Sequence, residues 1–206
     1  MKKIKVLIAD DHAIVRMGLA SILGTKKDIE VVGDAEDGAS AVRKAQKLAP
    51  DVVLMDIVMP EMDGASATAE IVKSCPGTKV LILTSFGTAD GIAHALEAGA
   101  AGALIKNIDY SELVEAIRAV ASGKSVVSPE ITKMLRESPP VPELTERQQE
   151  ILESVTRGLT DAEIGRQLQL TPNGVREHIT KIFQKIGAAN RAEAVAIALR
   201  KHLLKI

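Results

Sequence analysis

The sequence predicts an α/β protein: a five-stranded parallel, doubly wound sheet domain followed by a smaller all-α domain of four helices. Three observations carry this reading. Short aliphatic runs near 4–9, 29–35, 51–56, 79–84 and 101–105 alternate with stretches of helical periodicity, and strands alternating with helices imply a parallel sheet. The run Ser138-Pro139-Pro140-Val141-Pro142 then interrupts the chain with a semi-rigid, proline-rich segment. Beyond it the pattern is helical, with capping motifs at short intervals. A chain of 206 residues exceeds the usual domain size of about 100–150 residues, so the expected organisation is 1–122, a linker at 123–142, and 143–206.

In chain order, the first strand runs from Ile4 to Ala9 and closes on Asp10-Asp11; a helical pattern follows through Ile14, Val15, Gly18, Leu19 and Ile22. After the second strand, Ala41, Val42, Ala45 and Leu48 mark the next helix. Val52-Val53-Leu54-Met55 closes on Asp56, with Val58-Met59-Pro60 and Gly64 shaping the loop behind it. Val80 to Leu83 ends in Thr84-Ser85, and Ala103-Leu104-Ile105 ends in Lys106 after Gly99 and Gly102. Asp109 with Glu112 reads as a cap for a helix from Leu113 to Ala121, ended by Gly123; a short helix is expected within 128–137, after Pro129.

The second domain is punctuated by two capping boxes, Thr145-Glu146-Arg147-Gln148 and Thr160-Asp161-Ala162-Glu163. Gly158 stops the first of these helices, and the turn Gln169-Leu170 ends the second. Thr171 caps a third helix with Pro172 at its first position, and Val175, Ile179, Ile182, Phe183 and Ile186 recur on one face before Gly187. That order is helix-turn-helix grammar. The opposite face carries Asn173, Arg176, Glu177, Thr180, Lys181 and Gln184, a polar set suited to base edges in a major groove, although a merely solvated face has the same composition. A final helix from Arg191 to Lys201 carries Ala194, Val195, Ala198 and Leu199 as one stripe.

Composition restricts the function classes. Hydrophobic residues make up 46% of the chain but aromatics only 1%, so the cores are aliphatic. Net charge is −1, with residues 143–206 at +2, a mild asymmetry toward an anionic partner. The single Cys75 excludes an intramolecular disulfide, and neither a signal peptide nor an apolar stretch of about 18 residues is present, so a cytoplasmic location and no membrane partner are expected. No G-x-x-x-x-G-K-[ST] loop and no Cys/His cluster occur, and an enzyme is not expected.

Parallel strands place Asp10, Asp11, Asp56, Thr84 and Lys106 at one sheet edge, the edge where open α/β folds bind ligands. Three gathered carboxylates repel one another unless a hard divalent cation such as Mg2+ holds them. Taken singly, each acid has a capping or turn role open to it, Thr84 can be a polar strand end, and Lys106 a solvated side chain.

This ordered set resembles the response-regulator receiver domain, and Leu144-Thr145-x-Arg147, Gly158-Leu159-Thr160, Glu163-Ile164, Val175-Arg176-x-His178 and Asn190-Arg191-x-Glu193-Ala194 resemble the LuxR-type DNA-binding domain. Together they are similar to the NarL/FixJ subfamily, over nearly the whole chain. The resemblance implies a flavodoxin-like receiver in which Asp56 accepts a phosphoryl group from a sensor histidine kinase. It implies Mg2+ held by Asp10, Asp11, Asp56 and the Val58 carbonyl, with Thr84 and Lys106 on the phosphoryl oxygens.

For the second domain the resemblance implies contacts to double-stranded DNA from Asn173, Arg176, Glu177, Thr180, Lys181 and Lys185. Glu177 is expected either to accept from a cytosine amine or to turn outward; for His178 a DNA contact and scaffold packing both stay open. Arg191, Ala194, Val195 and Ala198 are expected at a homodimer contact formed on phosphorylation. One position departs from the family pattern: Ala103 stands where many receivers carry Tyr or Phe as a rotameric switch; for Phe86, two residues after Thr84, a substitute role is open, but an apolar core or interface role is the favoured expectation. That departure keeps a second expectation open, a DNA-binding regulator whose receiver works without phosphorylation.

Overall fold

The computed structural model describes residues 3–85, 89–137, 144–200 and 203–204, and the chain divides into two compact units, 1–140 and 141–206. In the first, β1 (Ile4–Ala9), β2 (Ile29–Ala35), β3 (Val52–Met55), β4 (Lys79–Thr84) and β5 (Gly102–Ile105) alternate with helices. These are α1 (Ala13–Gly24), α2 (Gly38–Leu48), α3 (Gly64–Ser74), α4 (Ala89–Glu97) and α5 (Tyr110–Ala121). All strand pairs are parallel, and the order begins β2-β1-β3-β4-β5. The direction of winding reverses between β1 and β3, which opens a crevice at their carboxyl ends. Ala9 faces Met55 in register, so Asp10 and Asp56 leave the sheet side by side.

Strand alternation divides the core into two layers. Leu7, Val53, Met55, Val80, Ile82 and Ala103 pack with α2, α3 and α4 residues such as Ala41, Ile71 and Ile92. Val6, Ile8, Leu54, Leu81 and Leu104 face the other way, onto Leu19 and Leu23 of α1 and Leu113, Ile117 and Val120 of α5. Asp37 and Asp63 cap α2 and α3 by accepting from Ser40 N–H and Ser66 N–H. Asp109 stands at the N-cap of α5 but its side chain makes no capping bond, contrary to expectation.

The buried stripe of α1 is rotated from the expected one. Leu19 and Leu23 are its buried residues, whereas Ile14 is 86% and Met17 72% exposed. The turn between Ile14 and Met17 instead places Arg16 against the β1–α1 loop, where its guanidinium donates to the carbonyls of Asp10 and Asp11. A polar anchor at the helix start outweighs the apolar pattern.

One further difference concerns residues 123–137, expected to open the linker and to hold a short helix after Pro129: the helix forms, but an unexpected strand precedes it. A sixth strand, β6 (Val126–Val127), extends the sheet beyond β5, and α6 (Pro129–Glu137) follows. Two residues are too few to show a strand period, and the pairing depends on Gly102: a Cβ there would collide with the Val126 carbonyl. Ile131 of α6 is fully buried in the same layer as Val80 and Ala103. This segment is therefore a strap on the sheet edge. The linker core at 138–142, together with Phe86, lies outside the described residues.

The second unit holds α7 (Glu146–Thr156), α8 (Asp161–Leu168), α9 (Pro172–Ile186) and α10 (Arg191–Arg200). Both expected capping boxes form, and Thr171 accepts from Gly174 N–H at the start of α9. Gln169 turns the chain after α8 with φ +55°, and Gly187 ends α9 with φ +73°. Ile151, Leu152, Val155, Ile164, Val175, Ile179, Ile182 and Ile186 make the core, with Phe183 partly buried. Among the described residues no helix is long and apolar enough to cross a membrane.

Replacing Ile131 by Ala should cost the first unit about 2–5 kcal/mol, the range for a buried isoleucine truncated to a cavity, read from its urea unfolding transition in the full chain. A loss below about 0.5 kcal/mol, typical of a surface site, would mean that α6 is only a linker.

Candidate functional site

The site is assembled from four strand ends. Asp10 follows β1 and Asp56 follows β3, and both are almost wholly buried, at 2% and 5% exposure. Each is held through its own backbone: Asp10 N–H donates to the Ala35 carbonyl and Asp56 N–H to the Ala9 carbonyl. Lys106 follows β5 and reaches across the end of β4. Its Nζ lies 2.6 Å from Asp10 Oδ2 and also donates to Asp56 Oδ2. The other oxygens are engaged too, Asp56 Oδ1 by Ile57 N–H at 2.7 Å and Asp10 Oδ1 by His12 N–H at 2.9 Å.

Burial by itself pulls the Lys106 pKa down, but its hydrogen bonds and charge pairing with Asp10 and Asp56 outweigh that, and the pKa is raised overall. The ammonium is therefore locked in its charged form at neutral pH. One lysine does not neutralise three acids. Asp11 is the exposed member, with His12 Nδ1 2.6 Å from its Oδ1. One donor atom from each of Asp10, Asp11, His12 and Asp56 falls within a 4.8 Å cluster. Hard oxygen donors with residual negative charge match Mg2+ chemistry.

Thr84 ends β4 at 2% exposure. Its carbonyl accepts from Lys106 N–H at 2.7 Å, and Met55 faces Ile82 in register, so Thr84 and Asp56 end neighbouring strands at the same edge. Val58 lies on the loop after Asp56 with its side chain 65% exposed. That loop turns through Glu61 at φ +62° and closes where Gly64 N–H donates to the Ile57 carbonyl at 2.9 Å. A side chain at Gly64 would overlap the Asp56 carbonyl, so the loop can return this close behind Asp56 only over a glycine. Arg16 and His12 were not foreseen; the one available signal was their spacing of six and two residues after Asp10.

In the second unit Asn173, Arg176, Glu177, Thr180 and Lys181 all lie on the exposed face of α9. The Arg176 side chain, 70% exposed, has its Nε 3.6 Å from Asp161 Oδ2. The Thr180 hydroxyl donates back to the Arg176 carbonyl at 2.9 Å. His178 is half-buried. Lys185 stands apart from the exposed set, half-buried with its Nζ donating to Gln148 of α7 at 3.0 Å.

Of the α10 residues expected at a dimer contact, two are buried within the unit itself. Ala194 and Ala198 are both 0% exposed and belong to the unit's own core, with Val195 partly buried against it, whereas Leu199 is 59% exposed. Small residues here let α10 approach α7 and α9 closely, so they are spent inside the monomer. Arg191 is likewise internal in its bonding: it reaches Asp161 Oδ1 at 3.2 Å and the Leu159 carbonyl, stapling α10 to the start of α8. Arg147 ties α7 to the end of α8 through the Leu168 carbonyl.

The chain thus joins a doubly wound α/β unit with a lysine-bridged acid pocket to a helix-turn-helix unit. Family comparison agrees: residues 6–118 match the response regulator receiver domain and residues 142–198 the bacterial regulatory proteins of the luxR family. The chain belongs to the response regulators that join these two domains, the NarL/FixJ subfamily, and such proteins regulate transcription in two-component systems. It is 42% identical to the transcriptional regulatory protein LiaR of Bacillus subtilis (strain 168), over 98% of this chain and 99% of that protein. It is 38% identical to the response regulator VraR of Staphylococcus aureus (strain Mu3 / ATCC 700698), again over 98% and 99%. Among solved structures, the response regulator ChrA of a heme-sensing two-component system aligns over 99% of this chain and 100% of that one, with 36% identity and a TM-score of 0.60.

Removing the bridging ammonium should expose the cost of the buried acids. Lys106→Met is expected to lose about 3 kcal/mol without divalent cation, the scale for breaking a buried pair from one side, and to recover part of it in Mg2+. Because the Lys106 pKa is raised, its contribution is fully present below the ordinary lysine range. It is lost only as pH climbs through the raised value, so the gap between wild type and variant should narrow there. Denaturant titrations at neutral and strongly alkaline pH check both points.

Proposed function

We propose that Asp56 is the phosphoacceptor of this response regulator, phosphorylated by a sensor histidine kinase in the cytoplasm. The observation that carries the reading is the buried Asp56 carboxylate, held at one oxygen by Ile57 N–H and at the other by Lys106, with Asp10 on the same ammonium. In the transfer an Asp56 oxygen attacks phosphorus, the P–N bond of the kinase phosphohistidine breaks, and its electron pair leaves with the imidazole. Lys106 pairs with one phosphoryl oxygen, and Thr84 donates its hydroxyl to another. Asp10, Asp11, Asp56 and the Val58 carbonyl would hold Mg2+. When bound, the cation supplies charge neutralisation on the transferred oxygens, the dominant demand of a loose phosphoryl transition state.

The receiver then runs through α6, and the DNA-binding domain starts near 143. Asn173, Arg176, Glu177, Thr180 and Lys181 are the readers of double-stranded DNA, with Lys185 a backing residue. Phosphorylation shifts the population toward a homodimer on paired half-sites, and it can do so only through contacts that differ between the two states. On α10 the exposed Leu199 beside Val195 is what a second copy can reach.

A receiver that works without phosphorylation has one observation in its favour: Ala103 is fully buried between Ile82 and Val127, with no aromatic at that register position. Light scattering separates the readings. With Mg2+ and beryllofluoride, a phosphoryl mimic, the wild type should pass from monomer to dimer and Asp56→Asn should not; an unchanged wild-type mass favours the phosphorylation-independent regulator. For DNA, Arg176→Ala should cost about 1–3 kcal/mol at its cognate base and relax specificity there, whereas Lys181→Ala should weaken all sequences alike. Binding across a site library tests this, and uniform loss from both would remove Arg176 from base readout.

A further inference from the structure

We propose that Arg16 is a positioning residue of the acid pocket, fixing Asp10 and Asp11 in ligating geometry before a divalent cation arrives. The inference rests on reading Asp10, Asp11 and Asp56 as the Mg2+ site and assigns that site a further residue. Consecutive residues of an extended strand send their side chains to opposite faces, so two adjacent acids serve one cation only if the chain turns between them and stays turned. Arg16 holds that turn. Its Nη1 donates to the Asp10 carbonyl at 2.7 Å and to the Asp11 carbonyl at 3.2 Å, while Nε donates to Asp34 Oδ2 at 2.8 Å. Asp34 lies at the end of β2, with its own carbonyl bound by Lys44.

The arrangement has the marks of a built device. Arg16 is only 14% exposed at its side chain, and α1 leaves Ile14 and Met17 in solvent while turning this cation inward. Taking both carbonyls leaves the carboxylates to point the other way, where Asp10 meets Lys106 and Asp11 meets His12. A planar fork with donors on Nε and Nη1 can engage Asp34 and the loop together, which a lysine cannot. The guanidinium also sets a fixed positive charge behind the two acids and offsets their repulsion in the absence of a cation.

Titration of the full chain with Mn2+, read from the EPR signal of the free ion and displaced by Mg2+, tests the assignment. Arg16→Met should weaken binding about tenfold, the lower end for losing a group that orients metal ligands. Arg16→Lys should fall between it and wild type. Asp34→Asn, at a half-exposed position, should give a smaller loss in the same direction. Arg118→Gln, which breaks the distant pair with Asp28, should lower stability and leave Mn2+ affinity alone. Wild-type affinity in both Arg16→Met and Asp34→Asn overturns the proposal, as does an equal loss in Arg118→Gln. A wild type whose Mn2+ binding does not depend on Asp11 overturns the metal-site reading itself and this inference with it. In the other failures wild-type binding stays intact.

Discussion

Everything at the functional edge depends on Lys106 standing between two buried carboxylates. Asp10 and Asp56 are carried by adjacent strands in register, and their closeness would be untenable without a cation. The lysine comes from β5, with β4 between it and β3, so the pair is bridged only if β3, β4 and β5 keep their order and register. The pocket therefore reports on the sheet. Conversely, added negative charge at Asp56 changes what Lys106 has to neutralise, and Lys106 is tied at its backbone to Thr84. Strand β5 leads directly into that lysine and carries β6 on its outer edge, which joins the pocket and the strap through one short element.

The strap gives a physical setting to Ala103. Strand β5 reads Gly102-Ala103-Leu104-Ile105, and its first two residues pair with Val126 and Val127. Gly102 has no side chain because the Val126 carbonyl needs the space, and Ala103 is small where Ile82 and Val127 flank it. The new edge strand has only two residues, so it offers few backbone groups for pairing with other chains.

In the second unit arginines do two different jobs. Arg147 of α7 binds the Leu168 carbonyl at the end of α8, and Arg191 of α10 binds the Leu159 carbonyl just before it, so both ends of α8 are tied to neighbouring helices. Arg176 is left on the exposed face of α9, near Asp161, which it shares with Arg191. A pair at 3.6 Å whose arginine is largely exposed contributes little to stability, so Arg176 is only weakly held.

Local rules sufficed where a signal is written within a few residues. The five longer strands, both capping boxes, the Thr171 cap, the turns at Gln169 and Gly187 and the polar face of α9 are all legible in the sequence, because each follows from neighbours in the chain. The convergence of Asp10, Asp11, Asp56, Thr84 and Lys106 was legible too, since parallel strands end at one edge by construction. Tertiary structure alone decided what competes across distance. Whether α1 buries Ile14 or Arg16 depends on two carbonyls and Asp34; whether Val126–Val127 is a strand depends on Gly102; whether Ala194 and Ala198 face a partner or their own core depends on α7 and α9. Periodicity states that a face is apolar, but only the packed neighbours state what covers it.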